Sequence, residues 1–259
     1  MQLTIRICSQ LMTFAQQEAD GSITHETYHA KNGVSVAANM RQALATCRLP
    51  GTGHRSALVL TDAPVLLIPD NEFAPEKAAA LYAYTYGLDK SHEVHTAETG
   101  GEGAVAAFAV SRDLKTVLGD RLGQVTFVPL MTYLWQRLHR DSYDSVSRKL
   151  YAYVHDRQME LVAFRQSRMT YCNRFDAASG ADAAYYMLNV WQQLGMKSHD
   201  DVLTVVGDNT GADDRFLTMA TEFLHNIERP SPYQLLGTEQ AARTAGLPLD
   251  MRACYSMLP

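Results

Sequence analysis

The chain has 259 residues, 46% of them apolar and 20% charged, and a formal net charge of −5. That is the composition of a globular protein with chain enough for one large or two ordinary cores, and its acidity gives no electrostatic basis for nucleic acid or an anionic membrane as partner. No apolar run reaches the ~20 residues of a membrane helix, and the alternating start Gln2-Leu3-Thr4-Ile5-Arg6-Ile7 reads as a strand rather than a secretory signal, so a cytoplasmic protein is expected.

Three alternating runs at about 3–8, 11–16 and 23–30, joined by short turns, predict a β-meander. Val36, Met40, Ala43, Leu44 and Cys47 then recur at helical spacing, and Pro50-Gly51-Thr52-Gly53 ends that helix. Buried strands at 57–61 and 65–69 precede a helix that Pro75 starts, with Leu81 and Tyr82 supplying its apolar face. Residues 93–97 and 104–110 read as strands around Gly100-Gly101-Glu102-Gly103, a hairpin tip rather than a phosphate loop, because no Lys-Ser/Thr follows it. Ser111 caps a helix carrying Leu114, Val117, Leu118 and Leu122. A short strand at 125–128 leads to a helix lined by Met131, Leu134, Trp135 and Leu138. The polar stretch 140–148 is the candidate crossing between domains 1–142 and 143–259.

The second half repeats this order. A meander at 150–155, 158–164 and 169–174 is followed by a helix with Ala183, Met187, Val190, Trp191 and Leu194 inward, which Gly195 terminates. A buried strand spans 201–207. Phe216, Ala220, Phe223, Leu224 and Ile227 define one more helix, with Thr210 and Asp213 spaced as a capping box. In the tail, 239–245 reads as helix and 251–257 as a last strand.

The order β-β-β-α-β-α, used twice, resembles the actin-like ATPase fold: α/β, two RNase H-like domains with a central cleft. The resemblance is nearest to a bacterial domain-of-unknown-function family with that fold, and beyond it to the actin-like assembly proteins of type IV pili and type II secretion. It rests on the run from Ala104 through the Ser111 helix to Leu130, on Leu150 to Phe164, and on Leu203-Thr204-Val205-Val206-Gly207.

In active members of that superfamily each hairpin carries an Asp-x-Gly turn, whose glycine lets backbone amides approach phosphates while the Asp holds magnesium through water. Here the first turn is Cys8-Ser9-Gln10 and the second His155-Asp156-Arg157-Gln158, which keeps an Asp and no Gly. The adenosine motif, a Gly-Gly turn after a buried strand, is matched by Gly207 alone, with the negative Asp208 in second place. The resemblance therefore implies a degenerate, non-hydrolysing protein that binds no cofactor and serves as scaffold or adaptor for a protein partner, with a homodimer among the arrangements. The alternative is an ATPase or kinase with divergent motifs, holding ATP and Mg through Asp156, Gly207, Asp208 and Asn209.

The residues by themselves favour plainer roles. Asp156 reads as a solvated turn former and Gly207-Asp208-Asn209-Thr210-Gly211 as a strand-to-helix turn. His25 and His29 sit roughly 13 Å apart along a strand, too far to share an ion, and His92 and His95 lie on alternate faces, so no metal site is expected. Cys8, Cys47, Cys172 and Cys254 form no CxxC pair and read as reduced thiols. No catalytic set of nucleophile and base is present. The aromatic stretch 81–86 and the tail from Pro230 are the candidate interface segments, weighed against ordinary core packing.

Overall fold

The computed structural model describes residues 2–51, 53–100, 103–143, 145–165, 168–207 and 213–257. The chain divides into two compact units, Met1–Thr132 and Tyr133–Pro259.

The first unit begins with β1 (Gln2–Ile7), β2 (Leu11–Gln17) and β3 (Ile23–His29), the expected meander. Helix α1 (Val36–Thr46), capped by Ser35, and a 3-10 turn at Leu49–Gly51 lead to β4 (Ser56–Thr61). An insertion follows: β5 (Val65–Pro69), α2 (Pro75–Tyr86), β6 (His92–Glu98) and β7 (Ala104–Ser111). Helix α3 (Arg112–Leu122), capped by Ser111, and β8 (Gln124–Pro129) complete the unit. The main sheet has the order β3-β2-β1-β4-β8, with β1, β4 and β8 parallel. Leu3, Ile5 and Ile7 alternate onto one face, where Met40, Ala43 and Leu44 of α1 and Leu114, Leu118 and Leu122 of α3 close the core. Truncating one such fully buried leucine to alanine costs about 2–5 kcal/mol.

The insertion forms its own antiparallel sheet, β5-β7-β6, with Ala78 and Tyr82 of α2 packed on Ile68 and Ala107. This corrects the expected apolar face. Ala78 and Tyr82 are four apart and share the inward face, so Leu81 turns outward and is 43% exposed. The β6–β7 hairpin exists as expected, while Gly101 and Glu102 at its tip lie outside the described residues.

The second unit opens with α4 (Thr132–Tyr143), whose last turn takes up residues 140–143 of the polar stretch; 145–148 lead into β9. The strands β9 (Lys149–His155), β10 (Gln158–Arg165) and β11 (Arg168–Asp176) form the second meander. Then come α5 (Gly180–Gln193), β12 (Val202–Val206), α6 (Asp213–Thr221), β13 (Ile227–Glu228), α7 (Pro232–Leu236), α8 (Thr238–Arg243) and α9 (Leu249–Met257). The sheet order β11-β10-β9-β12-β13 repeats that of the first unit with the same strand directions, and 3–30 and 150–174 belong to separate sheets. Gly195 ends α5 as expected: its N–H reaches Gln192 O, and Met196 N–H reaches Trp191 O, a Schellman motif around a φ of 59°.

Two expectations fail here. The helix read over 216–227 stops at Thr221, because Phe223 and Leu224 turn back onto the Ala220 carbonyl and Ile227 enters the ladder beside Leu203. The strand read at 251–257 is helix α9, in which every residue from Leu249 to Tyr255 is buried. A run buried all round carries no period that separates strand from helix. The Thr210 part of the expected capping box lies outside the described residues. Among the described residues no helix is long and apolar enough to cross a membrane.

Candidate functional site

The β9–β10 hairpin closes with a two-residue loop, Asp156-Arg157, whose φ values of 43° and 64° are the paired positive angles of a type I′ turn. Register places His155 opposite Gln158 and Tyr153 opposite Glu160, so these four side chains share the face turned away from the α5–α6 core. On that face the His155 ring stacks on Tyr153, centroids 4.9 Å apart, and the Tyr153 hydroxyl donates to Asp250 Oδ2 of α9 at 3.0 Å.

Asp156 is not the solvated turn former expected. Its side chain is 6% exposed, with Oδ2 3.6 Å from His155 Nδ1, and Glu160 Oε1 lies 3.9 Å from His155 Nε2. Burial disfavours the imidazolium, yet Asp156, Glu160 and Asp250 outweigh it and raise the His155 pKa to about 9. The ring thus lies between two carboxylates that favour its protonated form. The two carboxylates face opposite edges of the ring, so within this cluster no single ion could take Asp156, Glu160 and a His155 nitrogen together.

Gly207 follows β12 beside this hairpin, since Val206 is registered with Tyr153. Its φ of 146° favours glycine, and an added Cβ would rest on the Tyr153 ring at 3.7 Å. Asp208 and Asn209, the other residues named for a nucleotide, lie outside the described residues. In the first unit the Cys8-Ser9-Gln10 turn closes through Cys8 N–H to Leu11 O at 3.0 Å, with none of its three residues at positive φ. The four cysteines form no disulfide. His92 and His95 are bound locally, to Asp89 and to Glu93.

Sequence reading missed Tyr153, Glu160 and Asp250. Glu160 carries a signal, the one acid in the mostly apolar strand β10; Asp250 carries none, because its helix is buried all round and shows no period.

Two like-built α/β units, each a five-stranded 3-2-1-4-5 sheet opening on a meander, define a protein of the actin-like ATPase fold. The chain belongs to the DUF3822 family, described as proteins of unknown function, whose sequence model matches residues 1–227. It is similar over 99% of its length to 96% of a Bacteroides thetaiotaomicron protein with actin-like ATPase fold and unknown function, at 18% identity and a TM-score of 0.86. It is also similar to a chain of the PilM–PilN type IV pilus biogenesis complex, at 13% identity and a TM-score of 0.58, covering 99% of this chain and 98% of that one. No curated protein matches the sequence.

Proposed function

We propose that this is a non-hydrolysing actin-like protein that works in the cytoplasm as a scaffold or adaptor for another protein, with self-association part of that role. The observation that carries the reading is the fate of Asp156. The carboxylate that would hold magnesium in an active relative is buried against His155. Catalysis in this fold is mostly the positioning of phosphates and metal, so a turn without glycine and with its acid engaged favours a role through protein contacts. The similar chain from the PilM–PilN complex belongs to a two-protein assembly, which supports a protein partner. The net charge of −5 supports neither nucleic acid nor membrane surface as that partner.

The test is a thermal-shift series with magnesium and millimolar nucleotides, alongside affinity purification of the tagged protein from its native host. A ligand at ~1,000 times its Kd stabilises by about 4 kcal/mol. The expected result is no nucleotide shift and a partner that binds again when both proteins are purified. A shift with ATP that Asp156→Ala abolishes would overturn this in favour of an ATPase or kinase using Asp156, Gly207, Asp208 and Asn209.

A further inference from the structure

Helices α1 and α3 pack side by side on the main sheet of the first unit and leave a cavity of about 370 Å³ between them. Each helix lines it with one turn at the same spacing: Arg41, Leu44 and Ala45 from α1, and Val117, Asp120 and Arg121 from α3. Positions i, i+3 and i+4 share a helix face, so both triplets are presented to one space. Leu44 and Val117, each 7% exposed, also belong to the core beneath and give the cavity an apolar floor. Arg41, Asp120 and Arg121 are exposed around that floor. Among the described residues none of these three takes part in a side-chain hydrogen bond or ion pair.

Size and charge say what such a place takes. Small-molecule sites span roughly 300–1,000 Å³ and are mostly apolar, with a few polar groups that fix the ligand. Two guanidiniums against one carboxylate leave a single net positive charge here, in a chain whose total is −5. Its complement is a single negative charge. A guanidinium presents its N–H donors in a planar fork that matches the two oxygens of a carboxylate. A polyphosphate fits worse, because its additional charge would face Asp120. An apolar body on the same ligand would cover Leu44, Ala45 and Val117 and take their surface from water.

We infer that this cavity binds a small organic monocarboxylate with an apolar body, the carboxylate held by Arg41 and Arg121 and the body laid on Leu44, Ala45 and Val117. The site goes beyond the scaffold role and does not depend on it.

The test is isothermal titration calorimetry of the full chain with phenylacetate and hexanoate, from about 10 μM to about 10 mM. Phenylacetamide, which keeps the ring without the charge, and acetate, which keeps the charge without the body, are the matched probes. The expected result is saturable one-to-one binding of phenylacetate or hexanoate. Phenylacetamide and acetate should each bind at least about tenfold more weakly than phenylacetate. Arg41→Gln and Arg121→Gln should each weaken carboxylate binding about tenfold and leave phenylacetamide unaffected, whereas Asp120→Asn should tighten it. Ala45→Phe, which fills the cavity from an exposed helix position, should abolish binding with far-UV circular dichroism unchanged. Absence of saturation with both carboxylates overturns the proposal, as does acetate or phenylacetamide binding as tightly as phenylacetate. Binding indifferent to Ala45→Phe and to both arginine variants places the ligand elsewhere and overturns it too.

Discussion

Replacing His155 by Gln tests whether the cluster under the second hairpin is an internal ion pair that stabilises its unit. The folded pKa of about 9 stands above the ordinary 6.5. A raised pKa means that folding favours the protonated form, so the stabilisation is complete below about pH 6.5 and disappears as pH rises through about 9. That difference corresponds to about 3 kcal/mol. The side chain is 4% exposed, so solvent screening takes little from it. The assay is urea unfolding followed by tryptophan fluorescence. Trp135 and Trp191, the chain's two tryptophans, are both buried in the second unit and report on it alone. Wild type should lose about 3 kcal/mol relative to His155→Gln between about pH 6 and pH 9.5. At about pH 6 the variant should be the less stable, because it leaves Asp156 and Glu160 buried without their cation. Parallel pH profiles for the two proteins would refute the reasoning.

Tyr153→Phe removes the hydroxyl that donates to the fully buried Asp250 and should cost about 1–3 kcal/mol in the same assay, with no change in m-value. Gly180→Ala would set a Cβ 2.7 Å from the backbone nitrogen of Phe216, and backbone cannot yield as a flexible side chain would. It should cost at least about 1–3 kcal/mol and speed amide exchange in α6, read by hydrogen–deuterium exchange.

Both meanders, the helices on the core faces and the duplication were legible because each is half-buried and carries its period openly. Leu3, Ile5 and Ile7 against Met40 and Leu44 is such a case. Legibility failed where burial left no period, as in α9, and where a short element had only two residues to show, as in β13. It failed again on α2, where leucine and tyrosine side by side gave no measure of which one faced the sheet. The candidate site was legible as a position and not as an environment. Asp156 could be named from the turn, but the charge on its neighbour His155 answers also to Glu160 and Asp250, and the last of these lies 94 residues further along the chain than Asp156.

The two hairpin turns lack glycine for different physical reasons. The first has no backbone requirement for it, since Cys8, Ser9 and Gln10 all keep negative φ. The second holds Asp156 and Arg157 at positive φ, where a side chain costs roughly 1–2 kcal/mol per residue. Such strain persists only where the surroundings over-determine the conformation. Here the restraint is visible: β9 and β10 are paired in register from His155–Gln158 onward, Gln158 donates to Asp176 at 2.6 Å, and Asp156 sits against the His155 ring. A turn that must admit a phosphate needs backbone amides open to it and an acid free to turn toward metal. This turn instead directs its acid inward, where Asp156 joins the structure that holds the second unit together.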